Sequence, residues 1–207
     1  MKRPRFLLAA LAGLLLLAVS APALAHHHHH GGDSSDNAAT PGLANATLLI
    51  VRHAEKATFG PDLSDAGAQR ARFYAHYFRP FVLGREQLRM DALVAAADSR
   101  ASHRARETLE PLGHVLAMPI QQPFEDRDVE GLANWLGQGR PGRTILIAWH
   151  HGDLAKMLGA FGVDPGTLLP HGDWPGHVYD WVIVLRFDRN GVVMRQASGL
   201  IHEPPTA

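Results

Sequence analysis

The chain has 207 residues, with 20 Lys and Arg against 20 Asp and Glu, 46% hydrophobic residues and no cysteine. That charge balance excludes the basic footprint of a general nucleic-acid or anionic-lipid binder. The missing cysteines exclude disulfides, thiolate-zinc centres and thiol nucleophiles, and the apolar content without a heptad excludes collagen, coiled coil and general disorder.

Lys2, Arg3 and Arg5 precede an apolar run over 6–19, and Ala23-Leu24-Ala25 offers a small-x-small cleavage site. Residues 1–25 therefore read as a secretory signal peptide. The run of about 14 residues is shorter than the roughly 18 to 20 a membrane span needs. The expectation is an exported protein, periplasmic or secreted, with no membrane partner once the leader is removed. Cleavage takes away those three cations and no acid, leaving a net charge near −3 and no nucleic-acid partner. His26 to His30 open a Gly-, Ser-, Asp- and Asn-containing stretch to Ala44 that reads as a His-rich flexible linker over 26–44. The five-His run reads equally as a tag or as a natural metal-sequestering tail. A single domain over 45–207 is long enough to bury a core in which roughly 70% of the unfolded surface is removed from water.

From Thr47 onward, short apolar runs alternate with helical stretches, the pattern of an α/β domain with a largely parallel, doubly covered sheet. Thr47 to Val51 is the first strand. Ser64 offers an N-cap, with Asp65 in the first turn, for a helix whose apolar positions run from Ala66 to Phe81. Ala92 to Ala97 is a second strand. A helix from about Ser102 to Leu109 follows, which Pro111 interrupts or ends. Val129 to Leu136 is a third helix. Thr144 to Ala148 is a third strand, leading through Trp149-His150-His151-Gly152-Asp153 into a helix over Leu154 to Phe161. Asp180 to Phe187 and Val192 to Gln196, joined through Asp188-Arg189-Asn190-Gly191, form a terminal antiparallel hairpin.

Ligands of open α/β sheets collect beyond the carboxyl ends of the strands. Three such junctions here are polar: Arg52-His53-Ala54-Glu55-Lys56, the stretch from Ser99 to Arg106, and His150-His151-Gly152-Asp153. Any one of these residues alone is an ordinary solvated, ion-paired or structural group. Agreement among three strand ends describes an electropositive anion site, best suited to phosphate.

In sequence order, these segments resemble the histidine phosphatase superfamily, also called phosphoglycerate mutase-like. Leu48 to Lys56 looks like its signature strand ending in Arg-His-Ala. Leu63-Ser64-Asp65-Ala66-Gly67-Ala68-Gln69-Arg70-Ala71 resembles the segment that follows, and Ser102 to Leu112 is similar to the second-arginine helix. A third strand ending in histidine completes the set. The resemblance covers roughly 47–187 and implies a three-layer α/β/α sandwich with a mostly parallel central sheet and a C-terminal antiparallel hairpin.

It further implies a metal-independent phosphatase that needs no cofactor and hydrolyses a small phosphomonoester. His53 would attack phosphorus and become a phosphohistidine. Arg52 and Arg104 would hold the phosphoryl oxygens, for which a guanidinium fork is better shaped than a lysine. A second histidine would add a donor. The commoner family spacing to Leu154 selects His150, whereas the branch with Trp-x-His before the helix selects His151, and Trp149-His150-His151 resembles that branch more closely. For the leaving-group proton the sequence departs from the family patterns. Glu125 ranks first among Glu125, Asp126, Asp153 and Glu55, although surface solvation or helix capping is the commoner role of each. The stretch His171, Trp174, His177, Tyr179 and Trp181 is either a packed loop or a border of the site. Two alternatives stand beside the phosphatase: a pseudo-enzyme that binds a phosphorylated ligand, and a histidine-rich metal-binding protein suggested by 14 histidines. The sequence lacks the paired helical ligands that the metal reading would want.

Overall fold

A computed structural model describes residues 39–139 and 142–205. The signal-peptide reading and the five-His run lie outside the described residues. Six strands form one sheet: β1 (Thr47–Arg52), β4 (Ala92–Ala95), β5 (Ile120–Gln121), β6 (Thr144–Trp149), β7 (Trp181–Arg186) and β8 (Gly199–His202). Their spatial order is β5-β4-β6-β1-β7-β8. The first four are mutually parallel, whereas β7 runs antiparallel to β1, and β8 antiparallel to β7. A separate hairpin pairs β2 (Phe81–Leu83) with β3 (Glu86–Leu88).

Consecutive residues from Leu48 to Arg52 and from Ile145 to Trp149 are all buried, so β1 and β6 are covered on both faces. That is the burial pattern of a parallel sheet sandwiched between helices, and it explains why these strands read as continuous aliphatic runs. The helices are α1 (Asp65–Tyr77), α2 (Arg104–Leu116), α3 (Val129–Gly137) and α4 (His151–Ala160), and they pack as two pairs, α1 with α2 and α3 with α4. None among the described residues is long and apolar enough to cross a membrane.

Local chemistry sets the helix ends. Ser64 caps α1, its hydroxyl accepting from Gly67 N at 3.1 Å, and Asp128 caps α3 by accepting from Gly131 N at 2.9 Å. Pro111 does not end α2, which runs to Leu116 before Ala117 adopts a left-handed conformation. Leu109 and Leu112, either side of the proline, are fully buried. Their burial outweighs the cost of about 3 kcal/mol that an interior proline carries.

The C-terminal hairpin differs from its sequence reading in one strand. The partner of β7 is β8 at 199–202, while residues 192–196 contribute only the isolated Phe187–Val193 bridge before a short 3-10 turn, Arg195–Ala197. The last residues of the segment read as linker also pack on the domain. Leu43 is 1% exposed, and Thr40 N donates to Gly191 O at 2.8 Å.

Candidate active site

The register of two strands creates the site. β1 and β6 pair with Arg52 opposite Trp149, so both strands end at the same level. His53 N then donates to Trp149 O at 2.8 Å, extending the ladder one step and bringing the next residues, His53 and His150, together. Their ring centroids are 5.0 Å apart, edge to face. α2 enters from the neighbouring strand β4 and delivers Arg104 in its first turn.

His53 is 3% exposed. Its Nδ1 lies 2.7 Å from Ala54 O. A carbonyl can only accept, so Nδ1 carries the proton and Nε2 keeps its lone pair. Burial lowers the ring's pKa to about 3, with the positive surroundings of His150, Arg52 and Arg104 acting in the same direction. The imidazole is therefore neutral across the ordinary pH range, with a defined tautomer. Ala54 N donates to Thr108 Oγ1 at 2.8 Å, and Thr108 Oγ1 donates to Arg104 O at 2.7 Å. This chain ties the histidine loop to the arginine helix.

Two guanidinium groups flank the imidazole. Arg52, 2% exposed, donates from Nη1 to Gly176 O at 2.7 Å and Val178 O at 3.0 Å. Arg104 donates from Nη1 to Pro61 O at 3.1 Å, with the carbonyls of Gly60 and Ala101 nearby at 3.4 and 3.3 Å. The loop that supplies Gly60 and Pro61 is itself closed by a Lys56–Leu63 bridge. In both arginines Nε is buried without a hydrogen-bond partner. A buried N–H left unpaired costs about 1 to 3 kcal/mol, and the charges of both guanidinium groups act on His53, which suits the place to an anion.

The two adjacent histidines separate. His150 faces His53, and its pKa is lowered by burial, with Arg104 acting in the same direction and Asp126 and Asp153 opposing. His151, the residue the sequence preferred, begins α4 on the side of Arg52 and Gly176; a Cβ built on Gly176 would stand 3.4 Å from His151 Nε2. Burial lowers the pKa of His151 too, followed by the Arg52 charge.

The carboxylates divide as well. Glu125 is exposed, and its backbone carbonyl accepts from Asp128 N. Its neighbour Asp126 is held by Trp149 Nε1, which donates to Asp126 O at 2.7 Å, and its charge acts on both His150 and Asp153. Burial, then the Asp126 charge, raises the pKa of Asp153. Glu55 is taken by Arg70, which donates to it from Nε and Nη2, the latter at 2.8 Å. Arg70 Nη1 also reaches Glu203 at 2.6 Å, and Tyr74 Oη donates to Glu203 at 2.5 Å, so Glu55 belongs to a buried anchor for the C-terminal tail.

Among the described residues, one group brings metal-capable atoms within 4.8 Å of one another: Asp62, His103 and Glu107. These already engage each other and the chain, with His103 Nδ1 2.9 Å from Asp62 and Glu107 accepting from Leu63 N at 2.9 Å. His150 and His151 belong to no such group among the described residues. The His171–Trp181 stretch does border the site, through Gly176, Val178 and Tyr179 around Arg52. Two of those partners are backbone carbonyls, which leave no side-chain signal in a sequence. Thr108 could have been found, since it stands four residues after Arg104 on one helix face.

Neither a family model nor a curated protein matches the sequence. Solved structures do resemble the fold. Phosphoserine phosphatase from Entamoeba histolytica is 14% identical, with a TM-score of 0.50 over 74% of this chain and 96% of its own. The protein histidine phosphatase SixA, solved with tungstate, is 18% identical with a TM-score of 0.46 over 72% and 92%. Phosphoglycerate mutase from Plasmodium falciparum is 13% identical with a TM-score of 0.46 over 79% and 96%. The mixed α/β fold with a mostly parallel central sheet and antiparallel strands is the one shared with that phosphoserine phosphatase.

Proposed function

We propose that the protein is a metal-independent phosphatase of the histidine phosphatase superfamily, acting on a small phosphomonoester through a phosphohistidine at His53. The observation that carries this reading is a neutral imidazole of fixed tautomer at His53, on which the charges of both Arg52 and Arg104 act. Nε2 of His53 attacks phosphorus in line as the bond to the leaving oxygen breaks, and water then attacks the phosphohistidine to release phosphate. The two guanidinium groups stabilise the charge on the equatorial oxygens. His150, beside His53, donates to the same oxygens once the bound dianion favours its protonated form. His151 takes a place on the Arg52 side of the rim. Of the carboxyls, Asp153 best fits the donor of the leaving-group proton, because burial and Asp126 keep it protonated to higher pH than an ordinary aspartate. Glu125, exposed in its loop, is left to solvent. A phosphatase among the proteins that share the fold supports the reading. The leader-like features of residues 1–25 add an exported location, periplasmic or secreted.

The test is a screen of phosphomonoesters with the parent and His53→Ala proteins, together with an alkaline quench of the labelled reaction. The parent should turn over at least one ester and show an acid-labile, base-stable adduct on His53, and His53→Ala should lose nearly all turnover. Turnover that survives His53→Ala, or the absence of any such adduct, overturns the reading.

A further inference from the structure

Arg52 is held by far more than its position at the end of β1. Its Nη1 is occupied by two carbonyls, those of Gly176 and Val178, and Nη2 donates to Tyr179 Oη at 3.2 Å. The guanidinium carbon also lies against the Tyr179 ring, with Cζ 3.8 Å from its centroid. The same Val178 carbonyl accepts from Trp174 Nε1 at 2.9 Å, and Trp174, 1% exposed, packs 5.3 Å from Trp181 in β7. The ring of Tyr179 stands 6.5 Å from that of His53, so the brace borders the reactive group itself.

A guanidinium has five N–H donors. The three bonds named use both hydrogens of Nη1 and one of Nη2. What remains is one Nη2–H and the buried, unpartnered Nε–H. The phenol lies against the guanidinium, so what Arg52 keeps for an anion is those two hydrogens.

We propose that Tyr179 is a positioning residue for Arg52, fixing the plane of the guanidinium so that its free edge addresses the oxyanion beside His53. This rests on the reading of the site as a phosphoryl site. Ring and hydroxyl contribute separately. The π-face attracts a desolvated cation, and the phenol oxygen accepts one Nη2 hydrogen, which sets the rotation of the plane. An aliphatic side chain of similar size would fill the space but do neither. The guanidinium would then be free to turn its Nε edge away from the anion, and a small misplacement of a transition-state donor is costly.

The experiment is a double-mutant cycle on Tyr179→Leu and Arg52→Lys, with Tyr179→Phe as the conservative variant. It reads kcat and KM for p-nitrophenyl phosphate, and the affinity for tungstate by calorimetry. Tyr179→Leu should lower kcat/KM by about 30- to 100-fold, mostly in kcat, on the scale of losing one oriented donor. Tyr179→Phe should recover most of that loss by keeping the π-face. In the Arg52→Lys background the same Tyr179→Leu change should matter less than about threefold, because its effect passes through the guanidinium. Equal losses in both backgrounds, or a Tyr179→Phe protein as poor as Tyr179→Leu, would overturn the proposal.

If the parent turns over no phosphoester, the phosphatase reading fails while tungstate still judges Tyr179. Its affinity should fall about tenfold in Tyr179→Leu only when Arg52 is present, and unchanged affinity overturns the proposal. A further measurement does not depend on Tyr179→Leu folding. Exchange of the Arg52 Nη2 protons, followed by NMR, should be at least about tenfold faster in Tyr179→Phe than in the parent, since a hydrogen-bonded donor is protected. Equal exchange overturns it.

Discussion

Acidification should reveal the cost of charging His53 inside the folded protein. Burial, reinforced by His150, Arg52 and Arg104, brings its pKa from 6.5 down to about 3. Between those two values the unfolded chain binds the proton more readily than the folded one, so stability rises with pH across the window and is lost as pH falls from about 6.5 towards 3. One pH unit corresponds to about 1.4 kcal/mol, so between pH 6.5 and pH 4 His53 alone withdraws about 3 kcal/mol. The perturbation is His53→Gln, which cannot titrate. The assay is urea unfolding of parent and variant at about pH 7, 5.5 and 4, where linear extrapolation gives each unfolding free energy. The difference between the two proteins should shift by about 3 kcal/mol from the highest to the lowest pH, with the parent losing more. Groups away from the site titrate alike in both proteins and cancel. Saturating tungstate, by placing negative charge beside the ring, should shrink the shift. Parallel pH curves would show that the buried imidazole protonates without penalty, and the argument for a permanently neutral nucleophile would fail.

Three further outcomes follow from the same geometry. His150→Ala should cost about 100-fold in kcat/KM, and His151→Ala less than about tenfold, since only the former faces His53; the reverse order in steady-state kinetics would return the second donor to His151. Gly67→Ala would put a Cβ 2.2 Å from the Glu55 carbonyl, so α1 must back away from the loop after His53; urea midpoints should reveal a destabilisation of about 1 to 3 kcal/mol, and an unchanged midpoint would contradict the packing. Burial raises the pKa of Glu203 from 4.5 to about 7, so the folded state holds its proton over that window and stability falls as pH climbs through it; Glu203→Gln should remove this decline, measured as thermal midpoints at about pH 5 and pH 8.

The parts of the fold legible from sequence are those whose physics is local or continuous. β1 and β6 announce themselves because a strand buried on both faces has no polar positions to interrupt it. Ser64 and Asp65 mark the start of α1 because a cap is a contact between near neighbours. β5 is two residues long and pairs with the distant β4, and β2 and β3 are three residues each, too short to carry a period to detect. Pro111 misleads for a related reason: its cost is local, whereas the burial of Leu109 and Leu112 that offsets it is tertiary. At the site, Arg52, His53 and Arg104 stand out by residue type at strand ends. The choice between His150 and His151 turns on which side of the β6 terminus each ring leaves, and the exposure of Glu125 against the anchored Asp126 is set by a tryptophan 23 residues away. Neither relation is written in spacing.

The placement of β1 between β6 and β7 has a consequence for how the protein fluctuates. Its backbone amides are locked by neighbours on two sides, so they should exchange with solvent only through the rarest, near-global openings. The sheet margins at β5 and β8 are free to fray on shorter timescales. Residues 52 and 53 continue that innermost ladder. The arginine-histidine pair would thus keep its alignment while the periphery breathes, and loops around the rim could change in evolution without disturbing the reactive ring.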